Sequence, residues 1–299
     1  MSRAIGIFLE EQMAVGLVED LRVVGPIHLL PEGAGQRDYF DGMPTEEIVR
    51  NLAEKVRLVA RENSIDAVGL GLSGLIRDGI VEESPQLPQM KGSHIRDALM
   101  HALGTGGHPM TVNVLNAADA LATGIAAVRG DLDKVVRVWR LGNGVGYGHH
   151  PLGDCVWEGG HTVVSLDPHE TFCRCGGVGH LEGIMGHRAM RLRFLDLEPD
   201  EVFQLAQDGD KRCKEFVNLW HRALAAATAS SIHMDGPGRF FITGPNSRYL
   251  QIGLVERCLG EMVRLSSLQN NSLEIINTAN HEAAIIGAAV SALRAGKVA

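Results

Sequence analysis

The stretch HTVVSLDPHETFCRCGGVGHLE, residues 161–182, contains several side chains of the types that bind metal ions. His161, Cys173, Cys175 and His180 offer two imidazoles and two thiolates, a ligand set that suits tetrahedral zinc. The glycines of CRCGGVGH stand where the backbone must fold to bring such ligands together. Four protein ligands fill the coordination of zinc, so the pattern predicts a structural metal that takes no part in bond breaking.

Composition limits the classes of partner. The chain has 299 residues, enough for two domains of ordinary size, and 28 basic against 36 acidic residues give a net charge of −8. It has no block rich in Lys and Arg, so we expect no direct contact with nucleic acid and favour a small neutral or polar ligand. The longest apolar stretch, 283–293, is about half of a bilayer span. The N-terminal sequence has no signal-peptide pattern, so we expect a cytoplasmic protein without membrane contact.

The cysteines favour a reduced compartment. An odd number cannot all pair, and two of them lie too close for an ordinary disulfide framework. The five are Cys155, Cys173, Cys175, Cys213 and Cys258.

Strands and helices alternate along the chain. Two short apolar strands at 4–9 and 13–18 flank an acidic turn, and strand-like segments around 67–76 and 110–116 are each followed by helical patterns. A second strand, glycine turn and strand follow at 134–157, and a last helix runs from about 282 to 294. This order predicts an α/β fold with a mixed sheet covered by helices, and we expect the last helix to return to the first domain.

Six motifs in order resemble the ROK family of repressors and sugar kinases. GLSGLIRDGIVEESPQLPQMKG resembles its strand, Gly-rich turn and Pro-containing substrate loop, and VLNAADALATG stands where the family has its Asn-Asp sugar site. LGNGVGYG resembles the second phosphate loop, WEGGH the Gly-Glu-x-Gly-His motif, CRCGGVGHLE the cysteine signature and EAAIIGAA the closing helix. The resemblance spans nearly the whole chain.

The resemblance implies a two-domain actin-like, hexokinase-like fold of the ribonuclease H type. The expected domains are 1–116 with about 282–299, and 117–281 with the zinc motif. Family members are often dimers or tetramers, so a homodimer or homotetramer is implied.

The resemblance also implies a sugar site formed by Asn116, Glu158, His161 and Glu182. Polar groups of this kind can pair with several hydroxyls of one pyranose. His161 would then have two roles, with one ring nitrogen on zinc and the other facing the sugar. At the metal, His180 stands where the family usually has a third cysteine, and His169 and His187 are nearby substitutes if the alignment slips.

The position expected to hold the catalytic base carries no acid. The family's kinases have an Asp directly after the Asn, whereas this chain has Ala117, and the loss of a general base costs on the order of 10² to 10⁴ in rate. Asp119 is a weak replacement, because a helix turns it by roughly 200° from residue 117. We expect Asp119 to serve the start of the helix instead.

The first phosphate loop also departs from the family. Phe8, Glu10 and Glu11 stand where the pattern Asp-x-Gly-Gly-Thr has its Asp and glycines. Carboxylates aimed at a triphosphate would repel it, although the pair could instead recruit a cation or lie on a surface turn. The second nucleotide half keeps more of the pattern, and its weak candidates for nucleotide binding are Gly142, Asn143, Gly144, Gly146 and Gly244.

The groups needed for phosphoryl transfer are changed, whereas the sugar and metal motifs are kept. Two hypotheses follow from this contrast. We favour a ROK-like carbohydrate-binding protein with structural zinc and without kinase activity, acting as a sensor, regulator or scaffold for a small sugar-like ligand. The alternative is an ATP-dependent hexose or N-acetylhexosamine kinase, which would need Mg-ATP and rearranged catalytic groups. A DNA-binding repressor is disfavoured, because no helix-turn-helix pattern precedes the first strand and the net charge is acidic, although a partner could supply the DNA contact.

Overall fold

The structure is a computed structural model that describes residues 2–32, 39–61, 63–104, 110–153, 157–276 and 281–298. Its strands are β1 (Arg3–Leu9), β2 (Met13–Glu19), β3 (Arg22–Leu30), β4 (Ala67–Leu72), β5 (Leu75–Arg77), β6 (Ile80–Glu83), β7 (Thr111–Asn116), β8 (Val136–Leu141), β9 (Val145–His150), β10 (Arg239–Thr243) and β11 (Ser272–Ile275). Its helices are α1 (Thr45–Ala60), α2 (Ile95–Leu103), α3 (Ala117–Arg129), α4 (Leu181–Met185), α5 (His187–Arg193), α6 (Pro199–Asp208), α7 (Lys211–Asp235), α8 (Ile252–Met262) and α9 (Glu282–Val298).

The chain forms two compact units. The first consists of the described residues within 1–136, 148–156 and 278–299. The second consists of those within 137–147 and 157–277. Cys155 and the adjacent positions 154 and 156 of the predicted 134–157 segment lie outside the described residues. Within the described ranges, no helix combines the length and the apolar character needed to cross a membrane.

The first unit is built on a five-stranded mixed sheet of order β3-β2-β1-β4-β7. The predicted opening hairpin is present, with β1 antiparallel to β2, and β1 also pairs in parallel with β4, as β4 does with β7. Ile5, Ile7 and Leu9 are fully buried, which explains why the first strand reads as an apolar run.

Helix α9 packs on this sheet through glycines. A Cβ atom at Gly6 would lie 1.9 Å from the Ile285 carbonyl oxygen, and one at Gly69 would lie 1.9 Å from that of Ala288. The last helix therefore returns to the first unit, as predicted, and the small residues of β1 and β4 permit its close approach.

Helix α3 also belongs to the first unit, which differs from the domain boundary predicted after residue 116. It crosses α9 at glycines: a Cβ at Gly124 would lie 1.6 Å from the Ala283 carbonyl oxygen, and one at Gly287 would lie 1.8 Å from that of Ala120. This crossing explains why α3 falls in the compact unit that contains the first sheet.

The second unit contains the sheet β11-β10-β8-β9, in which β10 and β11 are parallel. Its core surrounds Trp139 and Trp220, and the indole of Trp220 donates to the Met185 carbonyl, which fixes α4 against α7. The carbonyls at the end of α7 accept hydrogen bonds from the buried guanidinium of Arg137. This packing provides a rigid base for the loop that carries the predicted metal ligands.

Candidate functional site

The four predicted metal ligands lie together in the second unit. Their ligand atoms are all within 4.8 Å of one another. The Sγ atoms of Cys173 and Cys175 are 3.3 Å apart, and Sγ of Cys175 is 3.2 Å from Nδ1 of His180. The rings of His161 and His180 are stacked, with centroids 5.1 Å apart. Residues separated by up to nineteen positions in the sequence are thus brought to one point.

The dimensions of this cluster fit a tetrahedral metal. Zinc bonds of about 2.3 Å to sulfur and 2.0 Å to nitrogen separate neighbouring ligand atoms by about 3.3–3.8 Å. The observed S–S separation of 3.3 Å and S–N separation of 3.2 Å are somewhat shorter than the about 3.8 and 3.5 Å of these pairs, and all four ligand atoms lie within 4.8 Å, so small side-chain shifts would bring them to tetrahedral distances. Gly177 is also required here, because a Cβ atom would lie 2.1 Å from Cε1 of His180. His161, Cys173, Cys175 and His180 could therefore hold a metal ion.

The electrostatics of the metal-free cluster favour neutral ligands. Burial, with Cys175 and Glu182 nearby, raises the pKa of the Cys173 thiol to about 12, so that the sulfur keeps its proton at neutral pH. Burial and the neighbouring His161 lower the pKa of His180. A neutral imidazole is ready to coordinate, whereas the Cys173 proton must be displaced by the cation.

An ion pair anchors the loop on the helix that follows it. The guanidinium of Arg193 in α5 contacts both carboxylate oxygens of Glu170, one of them at 2.9 Å, and lies 4.4 Å from the ring centre of Phe172. Glu170 in turn accepts the Gly179 amide through its main-chain oxygen. The sequence reasoning missed this pair, since nothing in the local pattern links Glu170 to a residue 23 positions away.

Two alternative histidines lie away from the cluster. The side chain of His169 is 91% exposed and its Nδ1 is 2.9 Å from the carboxylate of Asp167. His187 begins α5, and burial lowers its pKa. Neither belongs to the group of ligand atoms, which includes His180.

Three of the residues predicted to bind sugar lie at the metal cluster: His161 belongs to it, and Glu158 and Glu182 lie beside it. Nδ1 of His161 is 3.8 Å from Oε2 of Glu158, whose side chain remains 44% exposed. Burial of the Glu158 carboxyl nevertheless raises its pKa, opposed by His161 and assisted by the charge of Glu182. Oε1 of Glu182 is 3.6 Å from the Cys173 thiol. Polar groups of both hydrogen-bonding types thus line one patch of the second unit.

Glu182 also contacts the glycine turn between β8 and β9. Its Oε2 accepts the Val145 amide at 3.1 Å, and a Cβ atom at Gly144 would lie 2.4 Å from the same oxygen. The Gly142 amide donates to the Gly144 carbonyl at 3.0 Å. Two amides of the predicted second phosphate loop therefore already have protein acceptors.

The carbonyls of this turn are occupied as well. The Gly142 oxygen accepts the His187 amide and the Asn246 side chain, each at 2.9 Å, and the Asn143 oxygen accepts the amide of Arg188 at 3.4 Å. The turn is thus held in place by the start of α5. Gly146 lies within β9.

Gly244 ends β10 with a φ of +93°, which favours glycine. A Cβ atom there would also lie 2.4 Å from the Leu141 carbonyl oxygen. The glycine is needed for the turn itself, whether or not a nucleotide binds beside it.

In the first unit, Asn116 caps α3. Its Oδ1 accepts the Ala118 amide and its Nδ2 donates to the Gly74 carbonyl, both at 2.7 Å. Asn116 thus provides the N-cap, while Asp119 lies in the first turn of the helix, where its Oδ1 accepts the His149 amide at 2.9 Å. The methyl group of Ala117 is buried at the first position of the helix.

Side chains of the β1–β2 turn contact residues of neighbouring segments. Phe8 is buried, and its ring centre lies 5.4 Å from that of His281. Glu10 is only 6% exposed and accepts a hydrogen bond from the hydroxyl of Ser73 at 3.0 Å, whereas Glu11 is exposed. The Gln12 amide group donates to the Pro31 carbonyl at 2.7 Å.

Comparison with known proteins decides the family. The ROK family model matches residues 38–295, which is most of the chain. The chain belongs to the ROK family. A glucokinase of Pyrobaculum calidifontis is 28% identical over 211 residues, covering 66% of this chain and 68% of that one.

Solved ROK structures share the fold over the full length. The ROK hexokinase from Thermus thermophilus is 25% identical with a TM-score of 0.78, covering 99% of this chain and all of that one. A ROK glucokinase from Streptomyces griseus, in complex with glucose and AMPPNP, is 20% identical with a TM-score of 0.65, covering 98% and 100% of the two chains. The predicted α/β, two-domain actin-like fold is confirmed by these ROK relatives.

Proposed function

We propose that this ROK protein binds a sugar, carries a structural zinc ion and lacks sugar kinase activity, so that it serves as a sensor, regulator or scaffold. The observation that carries the proposal is Ala117. A buried methyl group stands at the start of α3, where the family's kinases have the acid that accepts the proton of the attacking hydroxyl. A methyl group cannot take that role.

The β1–β2 turn supports the same conclusion. A phosphate loop offers free backbone amides to its ligand, whereas this turn contains the buried side chain of Glu10 held by Ser73. The Glu10 amide itself donates to the Gln12 carbonyl at 3.3 Å. Phe8, whose ring lies tilted against that of His281, replaces an acid that would help to hold Mg²⁺.

Sugar binding is supported by the patch of Glu158, His161 and Glu182. Burial raises the pKa of Glu158, so its carboxyl group keeps a proton, with which it can donate a hydrogen bond, to a higher pH than an exposed glutamate does. The relatives named glucokinase and hexokinase make a hexose the first ligand class to test. A sugar-binding role for Asn116 stays a prediction from the sequence. Its two contacts at the start of α3 leave one amide hydrogen and one oxygen lone pair of the side chain for a sugar hydroxyl.

Zinc in this proposal is a clamp. It would be held by His161, Cys173, Cys175 and His180 and would supply a fixed ring orientation for His161. His161 then keeps one ring nitrogen for the metal while the other faces Glu158. The homodimer or homotetramer implied by the family remains part of the proposal.

The alternative is an ATP-dependent hexose or N-acetylhexosamine kinase. The similarity to a glucokinase favours it, as do the retained glycines at 142, 144 and 244. It requires Mg-ATP and a new base, for which Asp119 is the candidate. The hydrogen bond from the His149 amide engages that carboxylate and counts against it.

Calorimetry and a phosphorylation assay distinguish the sugar-binding protein without kinase activity from the ATP-dependent kinase. We expect saturable binding of glucose, mannose or N-acetylglucosamine by titration calorimetry, and no sugar phosphate by ³¹P NMR after incubation with Mg-ATP, with a ROK hexokinase as positive control. Phosphorylated sugar that disappears in a folded Asp119→Asn variant would establish the kinase. Absence of binding to any hexose would remove the carbohydrate part of the proposal.

A further inference from the structure

We propose that Cys173 and Cys175 form a site of reversible oxidation, at which hydrogen peroxide converts the two thiols into a disulfide and expels the metal. The inference rests on the proposed zinc site and adds to it a modification that the site can undergo. It starts from geometry: a spacing of one residue is too short for an ordinary disulfide framework, but the fold holds the two sulfur atoms 3.3 Å apart.

The two sulfurs differ in access. Cys175 is exposed at the tip of the loop, whereas Cys173 is 5% exposed beneath it. Peroxide can therefore reach the sulfur of Cys175 first, and Cys173 stands behind it as the resolving thiol. The Gly177 amide donates to Sγ of Cys175 at 3.3 Å and holds that sulfur beside its neighbour.

The backbone after Cys175 leaves room for the sulfurs to close. Gly176 has a φ of +80°, and the position of a Cβ atom on it meets no other atom within 4 Å. The space beside Gly176 is thus open, while its amide donates to the Cys173 carbonyl at 3.1 Å and keeps the two cysteines side by side. The remaining described cysteines, Cys213 and Cys258, are buried in α7 and α8 and have no such access.

The chemistry balances with peroxide as the oxidant. The Cys175 thiolate attacks one peroxide oxygen, the O–O bond breaks, and a sulfenic acid and hydroxide form. The Cys173 sulfur then attacks the sulfenic sulfur, the S–S bond forms and the S–O bond breaks, releasing a second hydroxide. In the metal-free protein the hydroxides take up the protons of the two thiols, so two thiols and one peroxide give one disulfide and two waters. In the zinc-loaded protein both sulfurs would already be thiolates, so the two hydroxides would take their protons from solvent and zinc would leave as the free cation.

Loss of both thiolates leaves only His161 and His180 as ligands, and two imidazoles do not hold zinc as four ligands do. Oε1 of Glu182 lies 3.6 Å from the Cys173 sulfur, so movement of that sulfur into the disulfide would alter the surroundings of this carboxylate. Oxidation would therefore release zinc and disturb the patch proposed to bind sugar. A thiol reductant with added zinc would restore both.

The test is a peroxide titration of the zinc-loaded full chain with a chromogenic zinc indicator. We expect about one equivalent of zinc to be released per disulfide and recaptured after reduction. Trypsin cuts after Arg174, which separates peptides 141–174 and 175–188 in the reduced protein. In the oxidised protein these peptides should stay joined and be lighter by two hydrogens than the reduced pair.

Two controls make the outcome decisive. A Cys155→Ser variant must still give the joined peptides, because Cys155 also lies in peptide 141–174 and could otherwise explain them. A Cys213→Ala variant should release zinc like the wild type. Zinc release without joined peptides, or oxidation only to sulfinic acid, would overturn the proposal. A chain that takes up no zinc while the joined peptides form would instead overturn the metal site and leave the dithiol oxidisable.

Discussion

The carboxylate of Glu182 accepts the main-chain amide of Val145 at 3.1 Å, and this bond joins the helix after the metal loop to the glycine turn between β8 and β9. The other oxygen of the same carboxylate faces the Cys173 thiol. One side chain thus connects the metal loop with the turn that resembles a phosphate loop. Any ligand that donates hydrogen bonds to Glu182 must share the carboxylate with these contacts.

Replacement of Glu182 should destabilise the second unit in a way that depends on the acceptor. Glu182→Ala leaves the amide of the buried Val145 without its partner, which costs about 1–3 kcal/mol of unfolding free energy. Glu182→Gln keeps a side-chain oxygen and should lose less than half as much. Urea unfolding of both variants checks this expectation, and equal losses would show that the contact is not what the carboxylate contributes.

The glycine at position 144 should be required by the same contact. In Gly144→Ala the new methyl group would lie 2.4 Å from Oε2 of Glu182, so the carboxylate must leave the Val145 amide. Gly142→Ala is the matched control, because its nearest neighbour is the flexible end of Arg140 at 3.3 Å. We expect a lower unfolding midpoint for the first variant and little change for the second. A tolerated Gly144→Ala would mean that Glu182 moves freely.

The metal cluster could be predicted because its ligands lie within one short segment. The residue types and the glycines of CRCGGVGH carry that information locally, and the structure brings all four ligand atoms together. The family and the fold were also predictable, since the motifs occur in order along the chain and the family model matches residues 38–295.

Contacts between distant segments could not be predicted in this way. The pairing of Glu182 with Val145 spans 37 residues, and only the folded sheet brings the two together. The placement of α3 depends on a similar long-range feature. Its close crossing with α9 is possible because Gly124 lies against the Ala283 carbonyl, and the sequence around either residue does not indicate which segment it contacts.

Acid should weaken the second unit through His221. This side chain is fully buried in α7, its Nδ1 is 2.7 Å from the Val217 carbonyl, and its Nε2 accepts the Gln251 amide at 2.9 Å. Burial lowers its pKa below the ordinary value of 6.5, an effect partly opposed by the backbone hydrogen bonds. Because the unfolded chain binds the proton first, stability is fully present above about pH 6.5 and is lost as the pH falls towards the folded pKa.

The slope of that loss can be measured. One such histidine contributes up to about 1.4 kcal/mol of unfolding free energy per pH unit. We expect the wild-type urea midpoint to fall between pH 6.5 and 5, and His221→Gln, although less stable overall, to fall more gently. Parallel slopes for the two proteins would assign the acid sensitivity to other groups.

Removal of His180 should release the metal while removal of His169 should not. Nδ1 of His180 is 3.2 Å from the Cys175 sulfur, whereas the His169 ring is 91% exposed and paired with Asp167. His180→Ala takes one of four ligands from a closed site, and its thiolate neighbours then hold zinc much more weakly against a chelator. Because the metal would orient His161, hexose binding should weaken in the same variant.

Metal analysis after dialysis against a chelator, with calorimetric titration of the same samples, compares wild type, His180→Ala and His169→Ala. A full equivalent of zinc retained by His180→Ala would remove this histidine from the ligand set, and loss of zinc with unchanged hexose binding would separate the metal from the sugar patch.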